Sequence, residues 1–400
     1  MAVTCKNCGR PVKFDPDTQR VSCDYCGSKF VPETIEEYGK DVLEQIEPSS
    51  IPDLYMDSYV YICSSCGGQI IINGTESSTS CVYCGGSSIV FNRIIKQKRP
   101  QFIIPFKVTK EEALDAIKDK LGKGLLVPRE IKHFKQEDVR GIYIPYWIVN
   151  ADHYGTVAIE GVVTNGRTAK SVYYARSGFM KVHDLPIDAS VALSNESSER
   201  LEPFNMNAMK PFNESYLLGF YSNISDITYR SISDLVNKRA QSIFEEHAKN
   251  GVESDREPTI LSSSHETEID YNSLRYAMFP AWFVSYRFKG QYNTILVNGE
   301  TGKVVCGVPW NRNLVASIYV VLSVILTILS FFFARAILVA AAEQGKMDND
   351  YRMLIYVIGI FIGGSIFAIK TGYTEIRKLI RSLNLAQDVA TYNFMKRRQG

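Results

Sequence analysis

The feature that most constrains this chain is a cysteine pattern that occurs twice. The pattern is C-x2-C-x14-C-x2-C, and its two copies contain eight of the nine cysteines. Four thiolates at this spacing suit a tetrahedral Zn²⁺ site without an open coordination position. The sequence therefore predicts two zinc ribbons with one structural Zn²⁺ each. The predicted ligands are Cys5, Cys8, Cys23 and Cys26 in the first ribbon, and Cys63, Cys66, Cys81 and Cys84 in the second.

The residues around the cysteines also match between the two copies. Val12 aligns with Ile70, and Tyr25 aligns with Tyr83. A glycine follows every cysteine pair, and glycine lets the backbone turn with positive φ so that amides point at the sulfurs. Alternating apolar residues between the pairs predict short strands. The four glycines are Gly9, Gly27, Gly67 and Gly85.

The cysteine pattern is also compatible with two alternatives to zinc. Disulfides are the first, but identically spaced C-x-x-C pairs in one chain favour a metal. Iron in a rubredoxin-like site is the second; it uses the same ligands and stays open. Because a thiolate cage needs a reducing compartment, we expect the N-terminal part to be cytoplasmic, and the polar start of the chain predicts no signal peptide. Cys306 lies outside the pattern.

The order of motifs and apolar segments along the chain predicts an α+β fold with a membrane anchor. After the two ribbons come a mixed region and then two apolar runs, which we interpret as a transmembrane hairpin. The predicted division is ribbon one at 1–30, an acidic linker at 31–58, ribbon two at 59–92, a cytoplasmic α+β domain at 93–312, transmembrane helices at 313–342 and 352–373, and a basic cytoplasmic tail at 374–400.

Local signals place several elements in the α+β region. A capping box at Thr109–Glu112 predicts a helix that ends near Leu121. Apolar residues at helical spacing predict a second helix over 227–250. The run 141–149 is strand-like, and Asn298-Gly299 is typical of a hairpin turn.

A weaker repeat lies within this region. Pro145-Tyr-Trp147 resembles Pro280-Ala-Trp282, and each segment follows a predicted helix. The repeat predicts two related halves. We expect both tryptophans to be core residues rather than ligand contacts, each with a partner for its indole N–H.

Two apolar runs near the C-terminus suggest a membrane protein. Leu314 to Ala334 and Met353 to Ile369 contain no charged residue. A helix of about 20 such residues spans a hydrocarbon core of about 30 Å. The tail after Ile369 is rich in lysine and arginine, so the positive-inside rule predicts that both termini are cytoplasmic. The sequence therefore predicts a multi-pass cell-membrane protein in contact with the lipid bilayer.

No catalytic motif is present in the sequence. It has no Walker phosphate loop, no G-x-S-x-G and no H-E-x-x-H. His153 is next to Asp152, but neighbours on a strand point to opposite faces and do not form a dyad. We therefore predict a protein that is not an enzyme.

Several segments outside the ribbons add to a family resemblance. With the cysteines, they resemble the bacterial TFIIB-type zinc-ribbon membrane proteins, which often have primosomal or replication-factor-Y-like labels. The resemblance implies a membrane scaffold, with phage-shock-protein-A-type or flotillin-like (SPFH) proteins as partners. It covers about residues 1–310. The segments are 104–112, 143–147, 185–189, Glu202-Pro-Phe204, Lys210-Pro-Phe212, 216–220 and 298–303.

Charge distinguishes the candidate functions. The chain has a net charge of +2, and Glu76 is the only charged side chain between Cys63 and Cys84. Phosphate binding needs lysine and arginine to displace counterions. We therefore predict an inner-membrane scaffold that recruits soluble and membrane proteins. A membrane-tethered nucleic-acid binder is the alternative, because ribbon one is slightly basic, and an enzyme is the third class.

Overall fold

The computed structural model of the chain describes most residues up to 306. The described ranges are 4–35, 55–65, 67–72, 81, 89–122, 139–165, 168–190, 195–223, 225, 227–288 and 291–306, with isolated positions between Ser317 and Val339. Within them lie fifteen strands and three α-helices.

The first ribbon forms a small sheet of its own. Its strands are β1 (Lys13–Asp15), β2 (Arg20–Ser22) and β3 (Lys29–Phe30). They pair antiparallel in the order β1-β2-β3. Val12, Phe14 and Val21 are buried beneath them, so the alternating apolar residues of the sequence do form short strands with one buried face.

The other strands form a single 12-stranded sheet. Its strands are β4 (Tyr55–Cys63), β5 (Gln69–Ile72), β6 (Ile89–Lys98), β7 (Phe102–Ile103), β8 (Val139–Asn165), β9 (Thr168–Asp188), β10 (Lys210–Pro211), β11 (Tyr221–Ser222), β12 (Thr259–Ile269), β13 (Arg275–Phe288), β14 (Gln291–Asn298) and β15 (Val304–Cys306). The helices are α1 (Lys110–Gly122), α2 (Asn195–Leu201) and α3 (Ser233–Lys249).

The strand order places β8 near the middle of the large sheet. The main path runs β10-β7-β13-β8-β11-β5-β4-β6, and β9 and β12 also pair with β8. Residues 141–149 of β8 are buried without interruption, whereas alternate residues are buried from Ala151 to Gly161. The continuous apolar run therefore lies where both faces of the strand are covered, and the alternating part lies where one face is open.

The strands of the second cysteine repeat belong to the large sheet. Val60 of β4 pairs with Ile71 of β5, and Ile71 in turn pairs with Ser222 of β11. Ile70 and Ile71 are fully buried. Backbone pairing to β11 thus joins this repeat directly to the large sheet, which together with the three helices we call the body.

The predicted local signals at α1 and the β14–β15 turn are confirmed. The amide of Thr109 donates to Glu112 Oε2 at 2.8 Å, and the amide of Glu112 donates to Thr109 Oγ1 at 3.2 Å. Gly299 lies in the turn, where an added Cβ would be 2.6 Å from the Phe106 ring. Only glycine allows this close approach.

The prediction of an α+β fold is wrong, because the described chain is mostly β. The predicted helix over 227–250 is shorter and begins at Ser233. The strand predicted at 141–149 is one part of β8, which continues to Asn165 and pairs with β9 over most of its length. Apolar periodicity identified the segments, but pairing with neighbouring strands determined how far the strands extend.

The prediction of a transmembrane hairpin in a multi-pass membrane protein is also wrong. Within the described part of the chain, no helix has the length and apolar character needed to cross a bilayer. Hydropathy counts the side chains of a run, whereas a span requires about 20 consecutive helical residues. Only isolated helical positions of the segment 313–342 are described, and 352–373 and the tail 374–400 lie outside the described residues.

The two Pro-x-Trp segments lie on adjacent antiparallel strands. Trp147 on β8 pairs with Tyr276, and Trp282 on β13 pairs with Gly141. The indole N–H of Trp147 donates to the carbonyl oxygen of Ile227, before α3, at 2.9 Å. That of Trp282 donates to Val108, before α1, at 3.0 Å. Each tryptophan therefore ties the sheet to the start of one helix.

Both tryptophans are core residues, as predicted, with exposures of 4% and 5%. We expect Trp147→Ala and Trp282→Ala each to lower the free energy of unfolding by about 3–5 kcal/mol, because truncation leaves a cavity. Trp147→Phe keeps most of the ring but leaves the Ile227 carbonyl unpaired, so its cost should be about 1–3 kcal/mol. Denaturant unfolding measures each value.

The matched control is Tyr173→Ala on β9, where the ring is 67% exposed. A surface substitution of this kind should change the free energy of unfolding by less than about 0.5 kcal/mol. If Trp147→Ala were as stable as this control, Trp147 would not be a core residue.

Candidate metal centre

The four cysteines of the first repeat come together at one end of the small sheet. Their Sγ atoms all lie within 4.8 Å of one another. Cys5 Sγ is 3.5 Å from Cys26 Sγ, and Cys8 Sγ is 3.5 Å from Cys23 Sγ. The thiols are free, so disulfides do not account for this cluster.

Two equivalent backbone turns aim the sulfurs at a common point. The amide of Gly9 donates to the carbonyl of Cys5 at 2.8 Å, and that of Gly27 to Cys23 at 2.9 Å. Both glycines have positive φ, +69° and +71°. The conformation explains why glycine follows each cysteine pair, since other residues adopt it only at a cost.

The cysteine cluster fits a tetrahedral metal ion. Sulfurs bonded to such an ion at about 2.3 Å lie about 3.8 Å from one another, close to the observed separations. Hydrogen bonds from Ser28 lower the pKa of the Cys26 thiol to about 6. The Arg10 amide lowers the pKa of Cys8, but burial and the other sulfurs raise it to about 12. Close thiols therefore resist ionising together, and a cation would remove that conflict.

The ribbon is packed against the large sheet. The Phe14 amide donates to the carbonyl of Leu218 at 3.0 Å, and the Phe14 and Tyr216 rings are 5.0 Å apart. Gln19 Nε2 donates to the carbonyl of Phe106 at 2.6 Å. Val12, Phe14 and Val21 belong to one apolar core with residues of α1, β8 and β13. Folding of the ribbon is therefore coupled to packing of the body.

The second cysteine group is described in part. Cys63 and Cys81 are fully buried, while Cys66 and Cys84 lie outside the described residues. The amide of Gly67 donates to the carbonyl of Cys63 at 2.8 Å, and Gly67 has φ of +68°. This turn repeats the geometry found after Cys5 and Cys23, so the repeat extends from the cysteine spacing to the backbone.

A partly buried polar relay, centred on the buried His153, links β8, β12 and α3, and the sequence analysis did not predict it. His153 Nδ1 is 2.8 Å from Thr267 Oγ1, and His153 Nε2 is 3.1 Å from His265 Nδ1. His265 Nε2 is 3.2 Å from Glu245 Oε1. Glu245 also accepts from Gln241 at 2.8 Å. The available signal was the alternation of β8, which places His153 on the buried face, opposite to Asp152.

The environment of this relay shifts two pKa values. Burial lowers the pKa of His153, and nearby His265 lowers it further. Burial raises the pKa of Glu245, but hydrogen bonds from Gln241, Ser263 and His265 outweigh it and lower that pKa. At neutral pH the relay therefore has a neutral His153 and an ionised Glu245. Gly155 leaves room for the Phe244 ring, which lies 5.4 Å from the His153 ring, since an added Cβ would be 2.5 Å from Phe244.

The comparisons with known proteins give one relative. The chain is 26% identical over 327 residues to the uncharacterized protein YdjG of Bacillus subtilis strain 168, and the alignment covers 78% of this chain and 91% of that protein. No family model matches the chain. No solved structure matches it.

The lowered pKa of His153 predicts a loss of stability in mild acid. Below the ordinary pKa of about 6.5, the unfolded chain binds a proton that the folded chain does not. The free energy of unfolding should therefore fall as pH drops below about 6.5, by at most about 1.4 kcal/mol per pH unit from this group. Denaturant unfolding between pH 7.5 and 5 measures this slope.

The substitution His153→Gln removes the titrating group and should flatten the slope over that range. His183→Gln is the matched control, because His183 lies on β9 with its side chain exposed. Equal slopes for the parent protein and His153→Gln would contradict the assignment of this pH dependence to the relay.

Proposed function

We propose that this chain is a non-enzymatic scaffold in which structural Zn²⁺ stabilises the ribbons and exposed surfaces of the fold recruit other proteins. The observation that carries the proposal is the four-cysteine cluster whose ribbon belongs to the core of the body. Four sulfurs fill the tetrahedral shell of Zn²⁺, so no position is left for a substrate. When bound, the metal supplies folding free energy.

The charges of the first ribbon support protein partners over nucleic acid. Lys13 forms an ion pair of 2.7 Å with Asp24. Lys6 Nζ donates to the carbonyl of Thr34 at 2.7 Å, and the Arg10 guanidinium lies 4.8 Å from the centre of the exposed Tyr25 ring. These cations already have partners in the ribbon, so binding phosphate would require breaking those contacts.

The metal content tests the first part of the proposal. Elemental analysis of the purified full chain should give about two zinc ions per chain, since each ribbon supplies four thiolates. Cys23→Ser should remove one ion and lower the melting temperature, because ribbon and body share a core. Cys306→Ser, outside the cysteine pattern, is the matched control and should keep both ions.

Retention of zinc by Cys23→Ser would contradict a four-cysteine site, and iron in place of zinc would change the metal assigned to it. A parent protein with one zinc ion would restrict the proposal to the first ribbon.

Recruitment is tested with point variants, because deleting residues 1–92 would also remove β4 and β5 from the large sheet. Tyr25 lies between Cys23 and Cys26 of the first ribbon and is 72% exposed. In crosslinked affinity purification after nuclease treatment, Tyr25→Ser should lose proteins that the parent protein retains at moderate salt. The control variant Tyr173→Ser, which changes an exposed tyrosine on β9, should retain these proteins. Tight binding of DNA or RNA at physiological salt, with the protein set unchanged, would favour the nucleic-acid alternative.

A further inference from the structure

Strand β6 forms one end of the main path of the large sheet. Within the described part of the chain it pairs with β4 alone. The backbone N–H and C=O groups along the outer side of such a strand are available to another strand. An edge of ten residues, from Ile89 to Lys98, is long enough to hold an extended segment by a ladder of backbone hydrogen bonds.

An exposed apolar patch lies beside this edge. Tyr59 of β4 pairs directly with Ile94 of β6, and the rings of Tyr59 and Phe91 are 6.5 Å apart. Phe91 is 49% exposed, Ile94 53% and Tyr55 66%. We call Tyr55, Tyr59, Phe91 and Ile94 the edge patch. A contiguous exposed apolar surface is typical of interaction sites, whereas single scattered apolar residues are common on any protein surface.

The edge patch lies on the side of β4 that faces away from the core. Ser58 and Val60 alternate with Tyr59 along the strand, and both are buried. Neighbouring residues of a strand point to opposite faces. The patch therefore belongs to the open face of the sheet.

The charge of the edge indicates which partner fits it. The sequence of β6 contains Arg93, Lys96 and Lys98 and no acidic residue. Lys96 lies opposite Asp57 of β4, and Lys98 Nζ lies 5.0 Å from the centre of the Trp147 ring, so Arg93 is the cation on which the choice of partner rests. Arg93 donates to Asn92 Oδ1 at 2.8 Å and to Gln69 Oε1 at 3.3 Å, so these bonds leave its charge uncompensated. A partner with carboxylates would supply the complementary charge.

We propose that β6 is the docking site for an extended acidic segment of a partner protein, which adds to the sheet as an antiparallel or parallel strand. This inference rests on the proposed recruiting function and names one recruiting surface, separate from the Tyr25 surface of the first ribbon, together with its partner class. Arg93 and Ile94 are adjacent on β6 and face opposite sides. A strand beside them would therefore place apolar side chains on the edge patch and carboxylates on the Arg93 side.

The geometry favours a peptide over single-stranded nucleic acid. Stacking of bases needs open aromatic faces, whereas the rings of Tyr61 and Phe91 meet edge to face at 75°. The aliphatic side chains of Val90 and Ile94 are also exposed. These features, with the open backbone edge, match the requirements of an added strand.

The test uses a fluorescein-labelled ten-residue peptide of alternating valine and glutamate, mixed with the full chain at physiological salt. Fluorescence anisotropy should detect saturable binding. The double variant Phe91→Ser/Ile94→Ser and the single variant Arg93→Glu should each weaken it by about tenfold or more, because each removes cross-strand contacts of one face. Tyr173→Ser and Lys170→Glu on β9 are the matched controls and should bind like the parent protein.

Two further probes make the result decisive. A peptide with N-methylated backbone should not bind, because the ladder needs its N–H donors, and a valine–lysine peptide should not bind because of its charge. No saturable binding of the valine–glutamate peptide, or binding unchanged in both Phe91→Ser/Ile94→Ser and Arg93→Glu, would overturn the proposal. Binding of labelled oligothymidine that the same variants abolish, without peptide binding, would also overturn it in favour of nucleic acid.

The zinc content of the variants separates this proposal from the proposed function. The edge variants should keep the zinc content and melting temperature of the parent protein. If the peptide does not bind while zinc content and recruitment are as expected, the edge site alone is rejected. If the parent protein holds no zinc but the peptide binds and the edge variants weaken it, the zinc part of the proposed function is rejected and the edge site is supported.

Discussion

The described structure depends on the backbone pairing of a single long strand, β8. On one side, its residues 139–148 pair with β13 and 151–160 pair with β12. On the other, it pairs with β11 and then with β9 as far as Asn165. Each of these partners is fixed by a ladder of hydrogen bonds to the same strand, so an error in the register of β8 would move every neighbour.

The helices and the first ribbon are attached to this sheet by a few directional contacts. The two tryptophans donate to carbonyls before α3 and α1. Phe14 of the ribbon packs its ring against Tyr216 and donates its amide N–H to the carbonyl of Leu218. Buried apolar area supplies most of the free energy of packing. The hydrogen bonds determine the position of each element, because an unpaired buried carbonyl costs more than its bond returns.

The metal centre and the histidine relay are two solutions to the same problem of burying polar atoms. In the ribbon, four sulfurs that resist ionising together form a site that a cation would stabilise. In the body, His153 and His265 satisfy each other, and Thr267 and Glu245 complete the chain. Both arrangements bring together side chains from different segments of the chain. A buried polar group is compatible with folding when such partners satisfy it.

The sequence by itself determined the local features of this protein. Cysteine spacing with a following glycine predicted the turns at Gly9 and Gly27, and the capping box predicted the start of α1, because these features depend on residues a few positions apart. Only the tertiary structure decided that the second repeat joins the large sheet, that β8 extends to Asn165, and that His153 meets His265. The joining of the second repeat and the contact between the histidines depend on residues more than a hundred positions apart, and the extension of β8 depends on its pairing with β9; periodicity along one segment does not encode its partner. The same reason explains the error in fold class: apolar runs predicted that segments are buried, while their pairing made the described chain mostly β.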